Sequence, residues 1–481
     1  MKNRILSGLT PEPVFRYFEE ICGIPHGSGN TKAISDYLAA FAEEKGLSYV
    51  QEPCGNVVIH ADATPGYEKE PGIVLQGHMD MVAVKEPDCP KDMMTEGLDL
   101  FTDGALVGAQ GTSLGGDDGI ALAFALAVLS DPEIPHPAID FVATIDEETG
   151  MDGAHAIDPA NIRARRLLNI DSEEEGIFIV GCAGGATLRL HMPLTRETGT
   201  GAFYTVSVRG LKGGHSGTEI EKNRSNAILL LARVIREMKK TQDLRVVSVN
   251  GGTKDNVIPS EATAIVRAPK KPDSDAVAAV LGSALAGKED GFSVTVSETA
   301  APSEEAVSNV LTRQSEENLL TLLNLLPFGV QAMSVLPGLV ETSDNVGIIN
   351  TRGGEAEIAV SVRSLIESEK EALCEKIGTL ARLFGATVSR NSEYPGWQYR
   401  PDSPLREKVV KAYREQYGRE PLVQTIHAGL ECGLMIDKLP ELDAVSMGPD
   451  INDIHSTKER LDIASVQRTW ELLLRVLRMK D

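Results

Sequence analysis

The sequence predicts an α/β protein in which a mostly parallel sheet is covered by helices and a second, ferredoxin-like α+β domain is inserted into the first. Three observations support this prediction. Strands alternate with helices from about residue 46 to residue 185. The pattern then changes over residues 203–298 to strand, helix, strand, strand, helix, strand. The first pattern returns near residue 400, so the first domain is discontinuous.

The elements of the first domain follow from runs of apolar residues and from turn residues. Two helices are predicted within residues 13–46, and the second ends at Gly46, a residue favoured just beyond a helix C-terminus. Apolar and β-branched runs predict the strands, and longer periodic runs predict the helices. In chain order these are strands 56–61 and 72–82, helix 118–131, strands 138–145 and 166–171, helix 406–418, strand 442–449 and helix 464–479.

The inserted domain, predicted over residues 186–391, contains a weak internal repeat. "DNVIPSEATAIVRA" begins at Asp255, and "DNVGIINTRGGEAEIAVSVRS" begins at Asp344. Each copy reads Asp-Asn-Val, a turn, and an alternating strand that ends in Val-Arg, and a predicted helix at 369–385 follows the second copy. We therefore expect a half-duplicated lid domain inserted into a catalytic domain formed by residues 1–185 and 392–481.

Composition excludes several classes of function. The 481 residues are 42% hydrophobic and 24% charged, as expected for a soluble globular protein of at least two domains. A net charge of −23 argues against nucleic acid and anionic membranes as partners. No apolar run approaches the ~20 residues of a membrane helix. The six cysteines contain no CxxC pair, which indicates a reduced, cytoplasmic protein.

Five segments place metal-ligand residue types at a predicted strand end or in the loop that follows it. Each segment alone is more often a turn, a helix cap or a solvated loop. Open α/β sheets bind ligands at the carboxyl ends of their strands, so the five segments are expected to converge. They are "GHMD" with His78 and Asp80, "GGDDG" with Asp117 and Asp118, "DEE" with Glu147 and Glu148, "NIDSEEEG" with Asp171, and "DIHSTKERL" with His455.

This ligand set indicates a metal centre. Imidazoles and carboxylates without cysteine suit Zn²⁺, with Mn²⁺ or Co²⁺ as alternatives. About five ligands indicate two metal ions that share a bridging carboxylate. Two cations would also explain why three consecutive acids, residues 146–148, follow a buried strand.

The motifs resemble the signature blocks of the co-catalytic zinc peptidases, a group that includes glutamate carboxypeptidase, carnosinase and bacterial dipeptidases. The matching blocks are "GHMDMV", "GGDDGIALA", "DEETGMDGA", "NIDSEEEG" and "DIHSTKER", in the family's order and across the whole chain. The chain length, the long insertion and "HAGLECG" are most similar to the aminoacyl-histidine dipeptidase (Xaa-His dipeptidase, peptidase D) branch.

The resemblance implies a role for each matching residue. His78 and Asp171 would hold one zinc ion, Glu148 and His455 would hold the other, and Asp117 would bridge them. Asp80 would orient the His78 ring, and Glu147 would be the general base for the attacking water. "GGHSG" resembles the family's oxyanion-stabilising segment, which implicates His215. Asn256 and Arg363 are the candidates for binding the substrate carboxylate. Asp118, where some relatives carry a neutral residue, leaves open which acid of its pair bridges.

The resemblance implies a metallodipeptidase that acts on small peptides, with a preference for a C-terminal histidine that rests on the resemblance alone. One alternative is an amidase that removes acyl groups from amino acids on the same fold. Another is a non-catalytic metal- or peptide-binding relative, against which the presence of Glu147 argues. The sequence leaves open the native metal, the preferred first residue, whether the chain forms a homodimer, and whether His215 acts within its own chain.

Overall fold

The computed structural model describes residues 4–301, 309–335 and 338–481. The chain forms two compact units, Met1–Gly181 with Tyr399–Thr425 and Leu430–Asp481, and Cys182–Gln398 with Ile426–Gly429. These limits differ from the predicted domain boundaries after residues 185 and 391, and the sequence did not indicate the short return at 426–429. Residues 302–308 and 336–337 of the predicted insertion lie outside the described residues.

Helices occur in both units, and their ends follow local rules of capping. The side chain of Asn226 accepts the N–H groups of Ile228 and Leu229 at the start of one helix, and Gly46 is left-handed (φ 68°) just after another, as predicted. In the described residues the helices are α1 (Glu12–Cys22), α2 (Lys32–Lys45), α3 (Gly116–Ser130), α4 (Glu147–Gly150), α5 (Asp152–Ala156), α6 (Ala227–Lys239), α7 (Asp275–Leu285), α8 (Arg313–Leu325), α9 (Glu367–Leu383), α10 (Pro404–Tyr417), α11 (Glu431–Lys438) and α12 (Ile463–Arg478).

The strands of the described residues form two large sheets and three small ones. Their bounds are β1 (Ser48–Gln51), β2 (Val57–Ala61), β3 (Ile73–His78), β4 (Leu100–Thr102), β5 (Leu106–Ala109), β6 (Ile139–Thr144), β7 (Arg166–Asn169), β8 (Ile177–Cys182), β9 (Gly184–Pro193), β10 (Arg196–Glu197), β11 (Ala202–Arg209), β12 (Gly214–His215), β13 (Arg245–Gly251), β14 (Val257–Ile258), β15 (Ala262–Ala268), β16 (Ser293–Glu298), β17 (Val310–Leu311), β18 (Gly329–Met333), β19 (Val340–Arg352), β20 (Glu355–Ser364), β21 (Thr387–Tyr394), β22 (Leu422–Ile426), β23 (Asp443–Ser446), β24 (Ile451–Asn452) and β25 (Arg460–Asp462).

The first unit is built on an eight-stranded sheet with the order β1-β2-β6-β3-β7-β23-β8-β22. Its centre, β6-β3-β7-β23, is parallel, whereas β1, β2 and β8 pair antiparallel. Every residue of β3 and β6 is buried, which explains why their sequences are mainly apolar and do not alternate with polar residues at every second position. The α/β prediction is therefore confirmed, with the parallel arrangement confined to the middle of the sheet.

Helix α3 covers this sheet and leads into the functional region. It packs against β3 and α1, and its residues from Gly116 to Val128 are buried. A helix that is apolar on all sides belongs in the interior of a large domain, because no face of it can be left in water. Its buried position fixes the first turn, which carries Asp117 and Asp118, against the ends of the central strands.

The second unit contains two copies of one βαββαβ arrangement. The first copy is β11-α6-β13-β15-α7-β16, and its antiparallel strands have the order β16-β11-β15-β13, which is the ferredoxin-like order. The second copy is β9-α8-β19-β20-α9-β21, with the same order β21-β9-β20-β19. The duplication is thus more extensive than the sequence repeat, because the first copy lies in the chain between β9 and α8 of the second.

The two copies join edge to edge into one nine-stranded sheet. β13 of the first copy pairs antiparallel with β19 of the second, and α6 packs against α8. Apolar residues of both copies form one buried cluster that includes Leu231 and Leu320. Asn226 donates its side-chain N–H to the carbonyl of Val346 at 2.8 Å across the joint. Burial of each large apolar side chain contributes about 1.5–3 kcal/mol, so this shared core stabilises the pairing.

Membrane insertion of a helix finds no support in the structure. Among the described residues, no helix has both the length and the apolar composition that are needed to cross a bilayer.

Replacement of Gly252 by alanine should destabilise the second unit by opening its joint. Gly252 has a φ of 73°, and a Cβ there would overlap the carbonyl oxygen of Gly347. We expect a loss of roughly 3 kcal/mol or more, since overpacking adds to the strain of a left-handed alanine. Gly287→Ala is the matched control, because its φ is 76° and nothing lies within 4 Å of the added Cβ. Equal losses of unfolding free energy in denaturant titrations of the two variants would contradict this account.

Candidate metal centre and active site

Three of the predicted ligand segments meet because their strands are neighbours in the sheet. His78 is the last residue of β3, Glu147 follows β6, and Asp171 follows β7. β6, β3 and β7 are adjacent and parallel, so their carboxyl ends lie at the same edge. The sheet therefore brings together residues that are far apart in the sequence.

Asp117 lies between the two histidines of the cluster. Its Oδ1 is 3.1 Å from Nε2 of His78, and its Oδ2 is 3.1 Å from Nε2 of His455. Asp118 instead accepts the backbone N–H of His78 at 3.2 Å and is buried. Both residues have non-helical φ and ψ at the start of α3, which turns their side chains in different directions.

The remaining contacts divide the cluster into two overlapping groups of potential ligands. Nε2 of His78 is 3.4 Å from Oδ1 of Asp171, and Nε2 of His455 is 2.9 Å from Oε1 of Glu148. Two ligand atoms in a tetrahedral zinc site with bonds of ~2.0 Å lie roughly 3.3 Å apart. Within this cluster, the three-residue sets in which one ligand atom of each residue lies within 4.8 Å of the others are His78, Asp118 and Asp171; His78, Glu147 and Glu148; and Asp117, Glu148 and His455.

Asp80 organises this region from behind. Its backbone carbonyl is 3.0 Å and its carboxylate 3.4 Å from Nδ1 of His78, and the carboxylate accepts the backbone N–H groups of Glu147 at 3.0 Å and Glu148 at 3.3 Å. It also accepts the hydroxyl of Ser28 at 2.8 Å. Contacts of this kind orient a ligand imidazole through its second nitrogen, and they fix the turn from which both glutamates project.

The cluster carries more negative charge than the histidines can balance. Burial raises the pKa of Asp171 to about 6, against the opposing effect of His78. Burial also raises the pKa of Glu147 well above its usual range, and neighbouring carboxylates add to this rise. Burial and the charge of Asp117 raise the pKa of Glu173 to about 8. Such shifts indicate a site that would be stabilised by added positive charge.

The histidines respond in the opposite sense. Burial alone would lower the pKa of His455, but hydrogen bonds to Asp117 and Glu148 outweigh it and raise the pKa to about 10. Burial would likewise lower the pKa of His78, and hydrogen bonds to three aspartates raise it well above its usual range. These hydrogen bonds favour the protonated imidazoles, whereas metal binding requires neutral imidazole and ionised carboxylate, so protons and cations would compete for this cluster.

A buried hydrogen-bonded group that the sequence did not indicate lies beneath the strand ends. Glu431, fully buried at the start of α11, accepts Nε2 of Gln76 at 2.6 Å and the hydroxyl of Thr144 at 2.7 Å. Gln76 in turn accepts Nδ2 of Asn169 at 2.6 Å. These residues belong to β3, β6 and β7, so Glu431 ties together the three strands that present His78, Glu147 and Asp171.

The other three predicted residues belong to the second unit. His215 lies in the short strand β12, which pairs with β14 and places His215 opposite Val257. The backbone N–H groups of Gly217 and Thr218 approach Nδ1 of His215 at 3.3 and 3.1 Å. Since Nδ1 accepts these protons, a neutral His215 ring carries its own proton on Nε2.

Asn256 and Arg363 are each held by a separate hydrogen bond in the second unit. The carbonyl of Asn256 accepts the N–H of Ser216, next to His215. Arg363 is buried in β20 and donates to the hydroxyl of Tyr394 at 2.6 Å. The structure thus links Asn256 to the His215 segment through the backbone and holds Arg363 through Tyr394.

His427, in "HAGLECG", is a further buried group of the second unit. Its Nε2 is 2.7 Å from the hydroxyl of Ser343. Burial lowers its pKa to about 3, and the charge of Arg363 acts in the same direction. His427 is therefore a neutral hydrogen-bonding residue near Arg363, a role that its motif did not reveal because Ser343 is distant in the sequence.

The fold is that of a peptidase, and the chain belongs to peptidase family M20/M25/M40, whose profile matches residues 74–479. It is 39% identical over 482 residues to the cytosol non-specific dipeptidase of Escherichia coli (strain K12), with 98% of each chain covered. The family resemblance found in the sequence is thereby confirmed, and the chain is a hydrolase.

Solved structures agree with this membership. The crystal structure of aminoacylhistidine dipeptidase from Vibrio alginolyticus has a TM-score of 0.84 and 36% identity, covering 99% of this chain and 98% of that one. Aminopeptidase PepT from Bacillus cereus ATCC 10987 has a TM-score of 0.56 and 18% identity, with 98% of each chain covered, and is similar in fold.

Metal-free protein should lose stability as the pH rises. His455 has a folded pKa of about 10, above the ~6.5 of an unfolded histidine. Its stabilising effect is fully present below pH 6.5 and is lost as the pH rises to about 10, because the folded state then gives up the extra proton. We expect the melting temperature of chelator-treated wild-type protein to fall more across this range than that of His455→Gln. If the melting temperatures of the two proteins fell equally with pH, the stabilising effect assigned to His455 would be contradicted.

Proposed function

We propose that this chain is a dipeptidase that uses two divalent cations to hydrolyse small peptides. The observation that carries the proposal is the convergence of two imidazoles with an excess of buried carboxylates at one sheet edge. Isolated charges of one sign are costly to bury, and this cost is removed when cations bind among them. A hydrolase that worked without metal ions would have no use for this excess of buried carboxylates.

The ligand roles proposed for the cluster follow its contacts. His78 and Asp171 hold one cation, Glu148 and His455 hold the other, and Asp117 lies between them. The contact of Asp117 with both imidazoles favours it over Asp118 as the bridging acid. Nitrogen and oxygen ligands without sulfur fit zinc, with cobalt and manganese as alternatives.

The residues of the chain then have distinct parts in peptide hydrolysis. Bound cations polarise the scissile carbonyl and lower the pKa of water. Glu147 takes the proton of the attacking water and delivers it to the leaving nitrogen. The carboxylate of Asp80 keeps Glu147 in place by accepting the backbone N–H of Glu147. His215 donates from Nε2 to the oxyanion that develops on the substrate, and Arg363 and Asn256 bind the substrate carboxylate.

The substrate class is supported by the similar proteins. The Escherichia coli relative is named a non-specific dipeptidase, and the Vibrio alginolyticus relative an aminoacylhistidine dipeptidase. We propose a broad dipeptide range that includes Xaa-His peptides, and a cytosolic location like that of the Escherichia coli enzyme. Removal of acyl groups from amino acids remains the competing activity on this fold.

A metal analysis coupled to a substrate panel tests this proposal. Purified protein should contain about two transition-metal ions per chain, and a chelator should remove both metal and activity. Xaa-His and other dipeptides should be cleaved, and N-acetyl amino acids should be cleaved poorly. Preferential cleavage of the acetylated compounds would favour the amidase, and metal binding without hydrolysis of either class would indicate a binding protein. His78→Ala should lose metal and activity together.

Glu147→Gln should retain both cations and lose turnover. The amide cannot accept the proton of water, so kcat should fall by at least about 10³-fold, the scale of general acid–base catalysis. Glu148→Gln is the paired variant, and it should lose metal because it removes a ligand. Metal analysis and kcat measured on both proteins decide the roles. Loss of metal in the first variant and retention in the second would reverse them.

His215→Ala should reduce turnover far more than stability. Loss of one donor to a developing oxyanion typically costs about 10²–10³-fold in kcat. His215→Gln keeps a donor and should recover part of the rate, whereas a role in folding alone would give a normal kcat in both variants. Mixing His78→Ala with His215→Ala protein tests whether the residue acts across chains of a homodimer, since recovery of activity requires sites shared between chains.

A further inference from the structure

A single buried carboxylate connects the loop that carries Asp117 to the loop that carries His455. Glu459 is 2% exposed. One of its oxygens accepts the N–H of Leu114 at 2.8 Å and of Gly115 at 3.1 Å. The other accepts the N–H of Gly116 at 2.8 Å and of Asp117 at 3.4 Å. Both oxygens of Glu459 are therefore engaged by four consecutive backbone groups.

The local backbone explains this arrangement. Gly115 is left-handed, with a φ of 68°, which turns successive N–H groups toward one point. These groups also lie at the start of α3, a 15-residue helix whose N-terminus favours a negative charge. Burial raises the pKa of Glu459, and the hydrogen bonds from Leu114 and Gly115 act against that rise. The loop thus forms a cradle for an anion, and this chain fills it with its own side chain.

The other end of the connection is equally constrained. Glu459 is the last residue of the loop between β24 and β25, and its N–H donates to the carbonyl of Ser456. Asp453 and His455 in the same loop have φ values of 53° and 58°. Such left-handed conformations cost energy in residues other than glycine and persist only where the surroundings enforce them. A short, tightly held segment therefore separates His455 from the carboxylate.

We propose that Glu459 is a positioning residue that sets the distance between Asp117 and His455, so that the two can share a cation. Its carboxylate fixes the backbone N–H of Asp117, while its own backbone fixes the segment of His455. This inference rests on the proposed two-cation function. Glu459 is not itself a ligand, since both of its oxygens already accept hydrogen bonds from the backbone.

A role limited to capping α3 is the competing explanation, and it predicts a loss of stability without a change in metal binding. Glu52 provides the matched control. It is a buried carboxylate of the same unit, and it accepts the N–H of Asp158 and the side-chain amides of Asn56 and Asn161. Glu52→Gln should therefore cost stability through lost hydrogen bonds while it leaves the metal ligands untouched.

The test is a zinc titration of metal-free wild type, Glu459→Gln and Glu52→Gln against a competing chelator. In Glu459→Gln the zinc ion assigned to His78 and Asp171 should bind nearly as in wild type. The zinc ion assigned to Glu148 and His455 should bind about 10–100-fold more weakly, which is the usual effect of removing a residue that orients a ligand. The rise in melting temperature on zinc addition should also be smaller in Glu459→Gln than in Glu52→Gln. Glu459→Asp, which keeps the charge on a shorter side chain, should give an intermediate result and replaces Glu459→Gln if that variant does not fold.

Two outcomes would overturn the inference in different ways. Wild-type affinities for both zinc ions in Glu459→Gln, with a loss of stability like that of Glu52→Gln, would reduce Glu459 to a helix cap. Fewer than two zinc ions bound by wild type would overturn the two-cation function itself. In the first case only the positioning role of Glu459 fails, and in the second the proposed two-cation function fails as well.

Discussion

Repulsion among buried carboxylates is the constraint on which the first unit depends. Acids follow the central strands β3, β6 and β7, and α3 adds two more at its first turn, so many carboxylates meet at one edge of the sheet. Burial raises the pKa values of Glu147, Asp171 and Glu173, and the charges of neighbouring carboxylates add to the rise. Hydrophobic burial of β3, β6 and α3 holds the acids together, and the proposed cations would turn their repulsion into binding energy.

Much of the first unit could be predicted from sequence because its signals are local. Continuous apolar runs mark strands that are buried on both faces, and ligand-type residues directly after them must lie at one edge of a parallel sheet. Glu459 and Glu431 could not be found in this way. In "KER" and "LEC" they read as an ordinary surface charge and a helix residue, and the hydrogen-bond partners of their carboxylates lie between 287 and 355 positions away in the chain.

In the second unit, the sequence pattern revealed only part of the second copy. The repeat at Asp255 and Asp344 revealed related segments, but Asp344 lies inside β19 whereas Asp255 follows β13. The first strand and first helix of the second copy escaped notice because the entire first copy separates them. The two copies share their strand order, which depends on edge pairing and on a common apolar core, more fully than they share sequence.

This interrupted arrangement affects the order in which the chain can fold. During synthesis β9 emerges before the first copy, yet its partners β20 and β21 follow much later, with residue 187 pairing residues 361 and 391. The first copy has mostly local contacts and can form while β9 still lacks both neighbours. An unpaired strand with buried apolar residues such as Leu188 and Leu190 is prone to aggregation until its partners arrive. β9 therefore depends for its burial on segments that are synthesised much later.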